Sequence, residues 1–425
     1  MLDSSALPVL VIGDDMRIFL SVVRSLGRAG LNVHALPLEP DAPALSSRYI
    51  TRVEKAPAFE ADPQGWRGAL DQLMTSKDFD LVIPCAESAI VSLDARRQAY
   101  SRQILAIPST SSMPLLFDKE QTHLMCDELD IPNVFWQPLD KLHTAESLVS
   151  LFGLPLVIKP RRSFWADSAN AREIVEIVDD LPELERVLGS ITDRGRYLVE
   201  SYFEGSGTGV SVIAKNGTIL QAFQHRRLRE GRGGCSSYRI SEAINQELRQ
   251  AAEAVCAKIK HNGVCMFEFR VNKSTGKWVI IEINARFWGS IPLPLALGLD
   301  YPKWLYDLLV NDASRSETHY PVGVRSRNIP LDTNNLLKKW RRGKELNASS
   351  FLVELVNYIT QPVRWATGQE KVDGFSLDDL RPSFKEISWI ASSLMYKPEK
   401  GKLGPPGVPL SPAGVAPFSR SWGPL

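Results

Sequence analysis

The residues richest in chemistry lie close together past the middle of the chain. In "MFEFRV" the strand alternation puts Phe267, Phe269 and Val271 on one face, with Glu268 and Arg270 on the other. In "VIIEINAR" it puts Val279, Ile281 and Ile283 on one face, with Glu282, Asn284 and Arg286 on the other. The two runs flank a turn around Asn272 to Gly276, and matching their apolar faces fixes the register parity of a hairpin. Glu268 and Glu282 then share a face. They lie directly opposite if the turn is symmetric about Thr275, where like charges repel unless something positive sits between them. Two carboxylates plus the amide oxygen of Asn284 form an oxygen-only donor set that suits Mg²⁺ or Mn²⁺, ions usually shared with substrate phosphates. Arg286, one step further along that face, carries the planar fork that meets a phosphate or carboxylate bidentately. Taken alone, the same residues also fit a surface hairpin whose acids pair with Arg270 and nearby lysines.

Other segments add positive charge. "LVIKP" ends an apolar run at Lys159, and "RRSFWADSANAREIV" (161–175) follows it without a glycine. A backbone without glycine is less free to close over a phosphate, so Arg161, Arg162 and Ser163 are expected to make such contacts with their side chains. Lys119 opens a helix for which Asp118 is the expected cap. "FQHRRLREGRGGCSSYR" (223–239) places His225, Arg226, Arg227, Arg229 and Arg232 before Gly233 and Gly234, and arginines aimed at developing charge stabilise phosphoryl transfer. Cys235 in that loop has no histidine identifiable as its base and reads as a small, half-buried thiol. "KKWRRGK" (338–344) reads as a solvated helix end.

These groups need elements to hold them. "PVLVIG" (8–13), "RIFLSVVRSLGRAG" with Gly30 as its stop, and "LNVHAL" predict a β-α-β unit, and "FDLVIPCAES" repeats the strand-then-loop pattern. A parallel sheet with helices on its faces is expected. Only Gly13 follows the first strand, so a glycine-rich dinucleotide fingerprint is absent. A new unit starts near residue 118. It continues through "RYLVESYF", a Gly-rich "EGSGTG", the strand "VSVIA", the turn dipeptide Asn216-Gly217 and the strand "ILQAFQ", which together predict antiparallel sheet. "NQELRQAAEAVCAKI" predicts a helix, residues after about 300 turn helical and polar, and from Gly404 the chain is too rich in Pro and Gly to build a core.

Bulk properties exclude several classes. At 425 residues, 44% hydrophobic and 23% charged, the chain is long enough for two or three globular domains. A net charge of +1 argues against bulk attraction to nucleic acid or anionic membrane. Five cysteines without a C-x-x-C pair indicate neither a disulfide framework nor a zinc site. With no targeting pattern and no apolar run of about 20 residues, the expected location is the cytoplasm, with no membrane partner.

A "DK" opening a helix, "VIKP" after an apolar strand, "VESYFEG" before a hairpin, and "FEF" followed by "EINAR" occur in an order that resembles the ATP-grasp superfamily. It resembles in particular the carbamoyl-phosphate-synthetase-like and D-alanine:D-alanine-ligase-like carboxylate–amine ligases of that superfamily, over roughly residues 8 to 310. The resemblance implies an α/β and α+β chain: a Rossmann-like pre-ATP-grasp domain (1–115), a two-lobed ATP-grasp domain (116–310, small lobe about 150–205), a helical C-terminal extension (311–403) and a Pro/Gly-rich disordered tail (404–425). It implies that Lys119 and Lys159 contact ATP phosphates and that Glu200, with the backbone from Ser201 to Phe203, receives the adenine. Glu268, Glu282 and Asn284 would hold Mg²⁺, Arg286 would lie near the transferred phosphoryl group or the substrate carboxylate, and Arg227 would be a second catalytic arginine. The implied reaction activates a carboxylate as an acyl phosphate and joins it to an amine; the alternative is a non-catalytic nucleotide-binding protein on the same scaffold. Small-molecule carboxylate and amine substrates are the expected partners, nucleic acid is not, and a homodimer is compatible with the family. "RFWGSIPLPLALGLD" is expected to line part of the acceptor pocket, through Trp288 and Ser290.

Overall fold

A computed structural model describes residues 7–164, 175–230, 236–342 and 348–395. The Pro/Gly-rich tail, Cys235, Arg232 to Gly234 and most of the glycine-free loop lie outside the described residues. The apolar runs of the N-terminal segment form β1 (Val9–Ile12), β2 (Val33–Leu36), β3 (Arg52–Val53) and β4 (Leu81–Pro84), parallel and in the order β3-β2-β1-β4. Every residue of β1 and β4 is buried, as a strand covered on both faces requires.

A second, antiparallel sheet is built from β5 (Trp136–Pro138), β6 (Leu156–Pro160), β7 (Glu176–Val178) and β8 (Tyr197–Ser201), ordered β5-β8-β6-β7. It recruits β5 from upstream of residue 150, where the smaller lobe was expected to start. Its core lies under the helices Ala145–Phe152 and Leu181–Ser190.

The third sheet has seven strands: β9 (Ser206–Lys215), β10 (Thr218–Glu230), β11 (Ser236–Glu242), β12 (Gly263–Val271), β13 (Trp278–Asn284), β14 (Arg325–Arg327) and β15 (Glu370–Val372), ordered β13-β12-β9-β10-β11-β14-β15. Asn216 and Gly217 both take positive φ, +50° and +88°, as a type I′ hairpin turn between β9 and β10 demands. One face, with Val210, Val212, Phe267 and Ile280, packs on the helix Gln246–Lys258. The other face, with Ile213, Phe223 and Met266, shares a core with β1, the helix Ile18–Arg28, Trp288 and Tyr301. The large sheet is therefore a middle layer.

Three expectations need correction. The strand read as "VSVIA" starts four residues earlier, because β9 begins at Ser206 and carries Gly207 and Gly209 within it. A Cβ at Gly209 would stand 2.3 Å from the His225 ring, and one at Gly207 would stand 2.3 Å from the Glu230 carboxylate and 2.7 Å from Arg227 Cδ, so these glycines let long side chains lie across the sheet. The C-terminal extension is not wholly helical, since β14 and β15 continue the sheet beyond β11. The alternation in β13 also breaks: Glu268 pairs with Glu282, but Phe269 pairs with Ile280, leaving Ile281 as a bulge. Ile280 enters the core in its place.

The extension folds back on the N-terminal layer. Asp379 receives Arg24 Nε at 2.9 Å, Ser47 Oγ at 2.6 Å and the Arg48 amide at 3.0 Å, while Arg28 meets Asp378 at 2.8 Å. Inside it, Arg327 bridges Asp332 (3.0 Å) and Glu370 (2.8 Å), and Arg239 of β11 reaches into it to pair with Asp373, all fully or nearly fully buried.

Candidate active site

Between the small and large sheets runs an open cleft of about 790 Å³ including its mouth, within the range of ligand sites. Val157, Val175 and Ile177 give it an apolar wall, the segment Ser201 to Phe203 an edge of open backbone, and Lys119, Lys159, Arg227, Glu268 and Glu282 its charge. A narrower recess adjoins it, lined by Ser163, Asn284, Arg286, Glu87 and His123, with Lys119 and Glu282 common to both. Of the residues singled out from the sequence, Arg162, His225, Arg226, Arg229, Trp288 and Ser290 line neither space, and nor does Arg161. It is turned away to Asp118 (3.1 Å) and Glu120 (2.6 Å), and Arg162 also meets Asp118.

The carboxylate pair stands as the hairpin register requires, Glu268 opposite Glu282. Arg227 Nη2 lies 2.6 Å from Glu268 Oε2, Lys119 Nζ lies 3.4 Å from Glu282 Oε1, and Asn284 Nδ2 points at Glu268 Oε1 across 3.5 Å. Lys119 also donates to Ser163 Oγ at 3.3 Å. Burial pushes the Glu268 carboxyl up; Arg227 pulls it down, but Glu282 and Glu230 add to the rise and the net shift is upward. The pair is thus short of positive charge. Among the described residues no three His, Cys, Asp or Glu side chains converge on one point. A divalent ion here would rest on two carboxylates, on the Asn284 oxygen after an amide turn, and on oxygens from a bound phosphate, and this hard donor set fits Mg²⁺.

Arg286 reaches out of the hairpin to Glu87, at the start of the helix Glu87–Asp94 that follows β4, with Nη2 at 2.8 Å and Nε at 3.2 Å. Burial pushes Glu87 up, but Arg286 more than offsets it and holds the carboxyl below its usual range. Burial likewise acts against the Arg286 charge, yet Glu87, Glu282 and Glu268 strengthen it. On the opposite side of the cleft, Lys159 forms an ion pair with Glu200 and donates to the carbonyl of the bulged Ile281 at 3.3 Å. Glu200 also meets His123 Nε2 at 2.5 Å.

The basic strand divides its arginines. Only Arg227 faces the cleft; Arg226 pairs with Glu242 at 2.5 Å, and Arg229 with Asp332 and Glu354 of the extension. Trp288 and Ser290 are buried in the shared core, with Trp288 edge-on to Tyr301 and Ser290 Oγ 3.8 Å from Met266 Sδ. Sequence reasoning missed Glu87 and His123. His123 had a signal, since it lies four residues after Lys119 and so shares its helix face. Glu87 had none beyond its position after a β4 carboxyl end, where open α/β sheets place ligands.

Comparison with known proteins bears on the fold. Residues 193–329 match the family profile described as "ATP-grasp in the biosynthetic pathway with Ter operon". The D-aspartate ligase of Enterococcus faecium (strain Aus0004) is 23% identical over 341 residues, covering 74% of this chain and 79% of that protein. The L-amino acid ligase of Bacillus licheniformis superposes with a TM-score of 0.52 at 20% identity, covering 72% of this chain and 75% of that one. The biotin carboxylase domain of Hydrogenobacter thermophilus 2-oxoglutarate carboxylase, solved with MgADP, ADP and bicarbonate, superposes with a TM-score of 0.60 at 14% identity over 76% of this chain and 74% of that one. The chain has the ATP-grasp fold.

Proposed function

We propose that this protein is an ATP- and Mg²⁺-dependent ligase that activates a substrate carboxylate as an acyl phosphate and joins it to an amine. The observation that carries the reading is the gathering of Lys119, Lys159, the 201–203 backbone edge and the Glu268–Glu282 pair on one cleft. The apolar wall takes the nucleobase, the Ser201–Phe203 edge offers it amide and carbonyl groups, and the lysines take the phosphates. A bound Mg²⁺, held by Glu268, Glu282 and Asn284, would neutralise phosphate oxygens. A carboxylate oxygen attacks the γ-phosphorus and the bond to ADP breaks; the amine nitrogen then attacks the acyl carbon, loses its proton, and phosphate leaves. Arg286 and Arg227 stand beside the carboxylates, where they stabilise charge on the transferred group. The names of the relatives, D-aspartate ligase and L-amino acid ligase, support small amino-acid-like substrates, and the MgADP in the Hydrogenobacter neighbour supports the nucleotide and the ion. Dependence on ATP and four buried free cysteines among the described residues fit a cytoplasmic setting.

The test is thermal stability with Mg²⁺-ATP, Mg²⁺-GTP, ATP plus EDTA, and no ligand. Nucleotide at 100 times its dissociation constant should stabilise by about 2.7 kcal/mol, for ATP and only with Mg²⁺. ADP release on adding carboxylate and amine pairs would follow. No shift at millimolar Mg²⁺-ATP would overturn the reading.

A further inference from the structure

His123 lies outside every role assigned so far, yet it lines the recess beside the nucleotide cleft with both ring nitrogens facing oxygen. Nδ1 is 2.8 Å from Asn133 Oδ1 and Nε2 is 2.5 Å from Glu200 Oε1. The Asn133 amide has one orientation that its neighbours accept: Oδ1 receives the Val134 amide at 2.9 Å, while Nδ2 faces the His123 carbonyl and an Asp127 carboxylate oxygen, each at 3.4 Å. Asn133 therefore accepts from His123 Nδ1. Glu200 is buried beside Lys159, whose charge and whose contact with the same Oε1 favour the carboxylate, so it too is an acceptor. Two acceptors on one imidazole require protons on both nitrogens. The ring, 2% exposed, also stacks on Trp136 with centroids 5.1 Å apart and planes 18° from parallel, an arrangement that favours a cation.

The buried set is then Lys159, Glu200 and His123: two cations sharing one carboxylate. We propose that His123 is a positioning residue for nucleotide binding, the counter-ion that keeps Glu200 charged and in place when Lys159 leaves it for the incoming phosphates. Without His123, Lys159 would be the sole cation on a buried carboxylate, and drawing it away would strand that charge. Around His123, Glu200 from β8 meets the ring and Lys159 from β6 sits on the same carboxylate, Asp127 of its own helix faces Asn133, and Lys119 and Glu282 line the same recess. The inference rests on the proposed ATP site.

The experiment is a double-mutant cycle on Mg²⁺-ATP binding and turnover with His123→Gln, Glu200→Gln and the pair. His123→Gln should weaken Mg²⁺-ATP binding and raise the KM for ATP by about tenfold while kcat at saturating ATP stays near wild type. In the Glu200→Gln background, where no charge needs a counter-ion, the same substitution should be nearly silent. An equal effect in both backgrounds, a loss confined to kcat, or no effect would overturn the proposal. Failure of the wild type to bind Mg²⁺-ATP would overturn the functional reading along with it; normal wild-type binding with an indifferent His123→Gln would sink this inference alone.

Discussion

Glu282 faces Glu268 across the hairpin and lies 3.4 Å from Lys119, so it joins the carboxylate pair to that lysine. Replacing it with Gln keeps the volume and removes one charge from a pair that repels. Turnover should fall by about 100-fold or more, the scale of losing one group that stabilises developing charge, while the melting temperature should hold or rise. Steady-state ADP release and thermal unfolding of Glu282→Gln check both halves; unaltered turnover would remove the pair from the site. At this scale the sequence was informative where strand periodicity applies, since a shared face for Glu268, Glu282 and Asn284 follows from parity. It was silent about which cation meets which acid. Lys159 on Glu200 and Arg161 on Asp118 and Glu120 are meetings between separate elements, and no local spacing encodes them.

Gly207 and Gly209 show how an element can mislead when read by local propensity. Glycine commonly interrupts strands, so only "VSVIA" read as strand, but β9 also takes in the two glycines and uses them as a floor for Arg227 and His225. His225 is fully buried and stacks on Phe223, with little room to retreat from an added methyl group. Gly209→Ala should therefore destabilise by about 1–3 kcal/mol, the usual cost of overpacking, and urea unfolding would show it as a lower midpoint at unchanged slope. A neutral result would mean that the ring has space. The bulge at Ile281 was equally hidden, because an alternating apolar run reads the same with or without one extra residue. It turns a carbonyl toward Lys159, and it shifts the pairing that places the core side chains of β13.

The first and last described parts of the molecule meet, which no pattern along the sequence announces. Asp379 collects Arg24, Ser47 Oγ and the Arg48 amide in a buried pocket between the extension and the helix Ile18–Arg28. Burial pushes its carboxyl up, but the Ser47, Arg48 and Arg24 contacts bring it below the ordinary value of 3.8. A depressed acid contributes stability above its unfolded pKa and loses it as the pH falls through the folded one. Asp379→Asn should cost about 3 kcal/mol at pH 7, and its deficit against the wild type should shrink below about pH 4. Unfolding of both proteins across that range tests it; a deficit independent of pH would deny the carboxylate its part. The parallel sheet, the hairpin and the family order were legible because apolar runs and turn dipeptides are local. The extra strands β14 and β15 were not, since three-residue strands carry too little pattern. The bridge from Arg286 to Glu87 has a bearing on how such a chain can be recombined. The arginine comes from the hairpin and its aim is set by an acid after β4, so the two layers are not interchangeable parts: a chimera that borrowed its N-terminal segment from a relative without an acid there would inherit the carboxylates and lose the direction of the arginine beside them.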